Sequence, residues 1–236
     1  MTVQIVFQNK AFVVAYKEPG WLSVPSRQGA LDERLCLGLM LQAQLGVQIF
    51  PVHRLDEPVS GLVLFALHSA AHRAANRWFE KGLIQKTYQA LSVAHSGQNP
   101  EPGDSKFKLP EVQDLPLLNE QLKWESVLSR GKKRAYSDTK LGKKCVTYAK
   151  FKGLNTKNQM KWLLKPQTGR PHQLRYELFS RGWPIVGDLL YGSTIAHSEP
   201  GIELRMIELD FKDCSDAPSF GLPSILSCDG LPGFNC

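Results

Sequence analysis

The chain has 236 residues, 42% of them hydrophobic and 22% charged, enough apolar material for a sizeable core and ordinary for a soluble globular protein. No apolar run approaches the ~18–20 residues of a membrane span, and the opening MTVQIVFQNK lacks the basic stretch and apolar run of a secretory signal, so a cytoplasmic protein without membrane attachment is expected. Lys and Arg outnumber Asp and Glu 29 to 22, a net charge of +7, which favours polyanionic partners, most often nucleic acid.

Residues 3–7 and 11–16 are short β-rich runs separated by Gln8-Asn9-Lys10 and predict a hairpin. KEPGWLSVPS follows, with Pro19, Gly20 and Pro25 marking an irregular loop. Leucines at 31, 35, 39 and 45 recur near helical spacing and Gly46 supplies a stop, which predicts a helix over 31–45. The nearly continuous apolar run 59–67 predicts a buried strand. A second helix is expected from a Ser69 cap to Gly82, with Ala71, Ala75, Trp78 and Phe79 sharing a face. Residues 86–93 then predict a strand with Tyr88, Ala90 and Ser92 on one side.

From Ser96 to Lys144 the chain is polar and rich in Pro, Gly and charge, which predicts a long loop region. Within it RGKKRAYSDTKLGKK (130–144) carries seven basic residues against one acid, with a tyrosine interleaved. Two readings stay open: a solvated loop, or an arm that tracks phosphates. Strands are expected again at 145–151 and 160–164, with Met160, Trp162 and Leu164 facing one side. Thr168-Gly169-Arg170-Pro171 reads as a helix entry, the helix running to Arg181 with Gly182 closing it. On such a helix His172, Arg175 and Phe179 share one face, and Leu174 and Leu178 an adjacent one. GDLLYG (187–192) reads as a turn, and 202–211 as a last strand whose alternation slips between Met206 and Ile207, hinting at a bulge. The tail 213–236 shows little periodicity. The five cysteines are odd in number, scattered and without a C-x-x-C pair, which fits reduced thiols.

Strands come in clusters with helices interspersed irregularly. This predicts an α+β fold: a mixed, largely antiparallel sheet with flanking helices and long loops. There is no glycine-rich phosphate loop, so no nucleotide cofactor is expected, and no cluster of metal-binding side chains.

The stretch VHRLDEPVSGLVLFA (52–66) sets His53, Arg54 and Asp56 at the mouth of the apolar strand. It can be a structural turn with an ion pair, or a carboxylate held for chemistry. A nearby arginine keeps such a carboxylate ionised, and Pro58 and Gly61 suggest a fixed turn; an aspartate in that setting can act as nucleophile or stabilise a developing cation. His53 and His172 lack companions at metal-ligand spacing and read as hydrogen-bonding or core residues.

His53-Arg54-Leu55-Asp56 followed by Ser60-Gly61 resembles the H-R-L-D-x-x-T-S-G signature of RluA-type RNA pseudouridine synthases. Lys86-Thr87-Tyr88-Gln89-Ala90 resembles their K-x-Y-x-A strand, and Gly169-Arg170-Pro171-His172-Gln173-Leu174-Arg175 their G-R-x-H-Q-I/L-R block. Gly187-Asp188-Leu189-Leu190-Tyr191-Gly192 resembles G-D-x-x-Y-G, and Lys17-Glu18-Pro19-Gly20 with Pro25 is similar to K-P-x-G…P. The five blocks occur in the family's order across residues 3–211.

The resemblance implies isomerisation of uridine within tRNA or rRNA, without cofactor or metal, by a protein expected to be a monomer. It gives Asp56 the role of essential carboxylate, with attack on the sugar, attack on the base and proton abstraction all open to it. Tyr88 would lie against the uracil, and Arg175 would pair with Asp56. Leu174 would pack the other side of the base, and Arg54 would help extrude the nucleotide. His53 and, from the basic segment, Lys133 and Arg134 complete the expected substrate contacts. The implied organisation is a catalytic domain over 1–212, including a basic loop region at about 96–144, then the tail; too few residues precede the HRLD block for an S4-type RNA-binding domain. A catalytically idle RNA-binding relative and a hydrolase using Asp56 are the rival readings. The chain departs from the pattern at Val59 (usually Thr), at Tyr176-Glu177, at Arg205-Met206 and in a one-position shift of Pro19.

Overall fold

A computed structural model describes residues 2–95, 108–197 and 200–228. Its strands are β1 (Ile5–Gln8), β2 (Phe12–Lys17), β3 (Phe50–Pro51), β4 (Ser60–Ala66), β5 (Gln85–Ser92), β6 (Gln121–Arg130), β7 (Ala135–Ser137), β8 (Lys143–Leu154), β9 (Met160–Pro166), β10 (Leu204–Asp210) and β11 (Ile225–Ser227). The α-helices are α1 (Leu37–Leu45), α2 (Ser69–Glu80) and α3 (Gln173–Phe179). The fold is α+β. The chain forms two compact units, residues 1–86 with 206–236, and residues 87–205.

In the first unit β1 pairs antiparallel with β2, β2 with β4, and β3 with β4. The expected hairpin is present, and Asn9 fixes its turn: its Oδ1 accepts from the Ala11 and Phe12 N–H groups at 2.8 Å. Strands β2 and β4 are buried on both faces, which is why they read as continuous apolar runs. Helix α2 lays Ala71, Ala75 and Trp78 on this sheet, and its cap is the His68 side chain, which accepts from Ala71 N–H, rather than Ser69.

The tail expected beyond residue 212 is part of this core as far as residue 228. Phe220, in the short 3-10 helix Ala217–Phe220, packs edge-on against Phe12 and Trp78. Trp78 Nε1 donates to Asp216 at 2.6 Å, and β11 pairs with β10. Cys36, Cys145, Cys214 and Cys228 are buried and unbridged; Cys236 lies outside the described residues.

The predicted helix over 31–45 is shorter than its leucine spacing implies. Helix α1 begins at Leu37, buries Leu37 and Leu41, and ends at a left-handed Gly46, while Leu31, Leu35 and Leu39 are exposed. The four-residue repeat followed the solvent side.

In the second unit the order is β5-β9-β8-β6-β7, each neighbouring pair antiparallel. Trp162 stacks on Trp183 with centroids 5.2 Å apart and is flanked by Trp124 and Phe151. Its Nε1 donates to Ser92 Oγ at 2.8 Å. The described residues of the loop region expected over 96–144 are not all loop: β6 and β7 occupy much of 121–137, joined by a tight turn in which Gly131 N–H donates to Arg134 O at 2.8 Å. The basic segment 130–144 is therefore structured, running through the β6–β7 hairpin and a turn into β8, and residues 96–107 lie outside those described.

Gly61 carries a backbone constraint in the HRLD block. Its φ is +122°, and a Cβ there would stand 2.2 Å from the Met206 carbonyl oxygen. Gly61→Ala is expected to destabilise the fold by more than about 3 kcal/mol through strain and displacement of backbone. Thermal denaturation should show a fall in Tm of roughly 10 °C or more, or loss of soluble protein.

Candidate active site

Asp56 sits on the segment between β3 and β4, and main-chain bonds hold it from both sides. Ser23 Oγ donates to Leu55 O and accepts from Leu55 N–H, each at 3.0 Å. On the other side Glu57 O accepts from Gly20 N–H at 2.9 Å and from Lys17 Nζ at 2.8 Å. The Asp56 carbonyl itself accepts from Val59 N–H at 3.0 Å, a bond that any residue except proline supplies. The valine in place of the family's threonine therefore leaves this turn intact.

Lys17 is the centre of this arrangement. It is fully buried, and its ammonium donates to three carbonyl oxygens, Glu18, Trp21 and Glu57, at 2.9, 2.7 and 2.8 Å. A buried cation needs such complete satisfaction. Arg34 adds a tie from outside, pairing with Asp32 and with Glu57. Neither Lys17 nor Ser23 was expected among the site residues. The signal was present for the first: a lysine directly continues the apolar run FVVAY.

His53, one of the expected substrate contacts, makes structural contacts within the first unit. Its Nε2 accepts from Leu64 N–H at 3.1 Å and its ring packs on Phe79 at 5.0 Å. Burial, with the charge of Lys86, pushes its pKa down to about 3, so the ring is neutral and suited to accept. Arg54, next to it, is exposed and Asp56 half-buried.

The second unit carries Tyr88 and Arg175. Tyr88 lies on β5 opposite Leu164 of β9. Arg175 is buried on α3, and its Nε and Nη2 donate to the two carboxylate oxygens of buried Asp188 at 2.6 and 2.7 Å. This bidentate geometry fixes the plane of the guanidinium.

His172, expected inside a longer helix, is instead the residue before α3, in the left-handed conformation at φ +58°. The turn brings its Nε2 to 3.3 Å from Arg175 Nη1 and its Nδ1 to 3.1 Å from Tyr191 Oη. Burial and the Arg175 charge lower the His172 pKa to about 3. The neutral ring thus accepts from Arg175 at Nε2 and donates from Nδ1. Tyr191, fully buried, also accepts from Ala135 N–H at 2.7 Å, and the Arg175 guanidinium lies 5.1 Å from its ring centre. His172, Arg175 and Phe179 do share one face, as the spacing predicted, and Tyr191 is what they share it around.

Arg134 half-buries its side chain and donates from Nε to Leu190 O at 2.6 Å. It braces the turn that holds Asp188 and Tyr191. Lys133 is exposed and Leu174 buried. The departure at Tyr176-Glu177 has a packing role: buried Glu177 accepts from Ser126 Oγ at 2.6 Å and from Arg181 at 2.8 Å, tying α3 to β6. Asp188 and Tyr191 were flagged by sequence only as a motif, without roles.

These side chains occupy the ordered blocks of a uridine-isomerising class of enzyme. A profile of the RNA pseudouridylate synthase family matches residues 11–180. The dual-specificity RNA pseudouridine synthase RluA of Salmonella typhi is 30% identical over 223 residues, covering 93% of this chain and 92% of its own. That of Escherichia coli K12 is 33% identical over 195 residues, covering 82% and 79%. Among solved structures, human RNA pseudouridylate synthase domain containing 1 matches with a TM-score of 0.64 at 24% identity, covering 89% of this chain and 78% of that one, a likeness of fold. The chain belongs to the RNA pseudouridylate synthase family, whose members are isomerases.

Two expected outcomes follow from these geometries. Asp188→Asn leaves a buried guanidinium short of a carboxylate, and loss of one member of a buried pair costs about 3–5 kcal/mol; chemical denaturation should report a loss of that size. For Lys17, burial lowers the pKa from 10.5 to about 8 against the raising effects of Glu57, Asp56 and Glu18. Between those pH values the unfolded chain holds a proton that the folded chain has begun to release, so the stability owed to this group rises as pH rises across that window. Wild type is expected to gain up to about 3 kcal/mol on Lys17→Met between neutral pH and the top of the window. A flat difference would show the ammonium persisting under its three carbonyls.

Proposed function

We propose that this chain isomerises specific uridines in structured tRNA or rRNA to pseudouridine, with Asp56 as the essential carboxylate. The observation that carries the reading is the double pinning of Asp56: both of its neighbours in the HRLD block are fixed through backbone atoms, so the carboxylate is pre-positioned. In the reaction the bond from ribose C1′ to uracil N1 breaks, the base turns, and C1′ bonds to C5. The C5 proton leaves and N1 regains one, so the change is redox-neutral. Tyr88 against the uracil and Arg175 complete the catalytic set by motif. Arg54, exposed beside Asp56, suits a target nucleotide that must leave its stack. The relatives named dual-specificity RNA pseudouridine synthases support a substrate range of more than one RNA site, and the net charge of +7 supports a polyanionic substrate.

Asp56→Asn is expected to reduce pseudouridine formation at least about 10³-fold while RNA affinity stays within about threefold of wild type. Mass spectrometry of tRNA and rRNA from cells with and without the gene measures the first, and fluorescence anisotropy the second. A wild type that leaves every cellular RNA unmodified would make this chain an idle RNA binder. Release of free uracil would make it a hydrolase.

A further inference from the structure

The second unit's sheet has one face packed and one open. In an antiparallel sheet, residues opposite one another across strands project to the same side. Trp124, Thr147 and Pro166 are aligned across β6, β8 and β9 and buried. The adjacent row, Lys123, Tyr148 and Lys165, is aligned across the same strands and exposed. On the next row Lys150 stands opposite Leu163, and Lys161 follows two residues from Leu163 along β9. Tyr88, opposite buried Leu164, belongs to the packed side.

Lys165, Lys150 and Lys161 therefore form a zigzag of diagonal neighbours about 7–8 Å apart at the backbone. Like charges so placed repel, and a face serving solubility alone would intersperse acids among them. Here the acid on β6, Glu125, is engaged by Lys123 at 2.9 Å, and no ion pair engages Lys150, Lys161 or Lys165 among the described residues. Tyr148, 36% exposed, stands inside this cluster. An aromatic ring among lysines on an open sheet face is an arrangement that holds unpaired RNA, with ammonium groups on phosphates and the ring on a base.

We propose that this open face is a second RNA-contacting surface, gripping an unpaired segment of the substrate on the side of the sheet away from Tyr88. It rests on the reading that the substrate is RNA, and it assigns the face to affinity rather than chemistry. The test is the triple variant Lys150→Glu, Lys161→Glu, Lys165→Glu in the full chain, with Tyr148→Ala made separately and unchanged thermal melting required of both. The triple variant is expected to raise KM at least about tenfold with kcat within twofold. It should also lower the slope of log affinity against log salt by about 2, since each phosphate contact on a single strand contributes roughly 0.7. Tyr148→Ala is expected to weaken binding to an unpaired oligonucleotide several-fold and to leave duplex binding unchanged. Unchanged affinity and salt slope in the triple variant would overturn the proposal, as would a loss confined to kcat. Binding is read by anisotropy without turnover. A wild type that binds RNA but makes no pseudouridine would thus end the functional reading while the binding comparison still decides this one.

Discussion

A lysine side chain carried fully into the interior must bring its own solvation with it, and the Lys17 ammonium finds it in three backbone carbonyls drawn from two segments of the chain. That requirement works in both directions. The carbonyls of Glu18, Trp21 and Glu57 satisfy the charge, and the charge fixes where those carbonyls stand. Because Glu57 is the residue after Asp56, a desolvation problem at the end of β2 becomes a positional constraint on the carboxylate segment. Ser23 repeats the device with a neutral group, using one hydroxyl to bond both backbone atoms of Leu55. The irregular 17–23 loop is therefore ordered by what it holds.

The second unit solves a similar problem with a different chemistry. Helix α3 is only seven residues long and buries Arg175 and Glu177. Each charge is matched where the helix packs: Arg175 by Asp188, Glu177 by Arg181 and Ser126. The left-handed His172 costs on the order of 1 kcal/mol in backbone strain, and in return its neutral ring lies between Arg175 and Tyr191. Breaking any one of these pairs strands a charge in the interior, so the network specifies the geometry of Arg175 more than it adds to net stability.

Much of this was legible beforehand, and for reasons that residues make plain. Strands β2 and β4 are buried on both faces, so their apolar runs announced them; the five motif blocks fixed the family; and the α+β class followed from the irregular order of elements. What escaped did so where polarity misled. QLKWESVLSR reads as loop because β6 presents Lys123 and Glu125 to solvent and only Trp124 and Leu128 are fully buried. The leucines at 31, 35 and 39 suggested a helical stripe, yet all three are exposed. Ser23 and Asp188 could not be ranked from sequence because their importance lies in backbone atoms and partners distant along the chain, and composition carries no record of those.

The clamp around Asp56 grips carbonyls and amides, and that has an evolutionary consequence. Leu55 is held by its N–H and carbonyl and Glu57 by its carbonyl, atoms that every residue but proline possesses, and Val59 supplies only its N–H. The side chain at Arg54 takes no part in these bonds and can change while the backbone at position 56 keeps its address. On the proposed function, contact with RNA at Arg54 and the placing of the Asp56 carboxylate depend on different atoms of one short stretch, side chain for the first and main chain for the second. On that reading, a chain built this way can be re-aimed at a different nucleotide context while the backbone that places the carboxylate stays as it is.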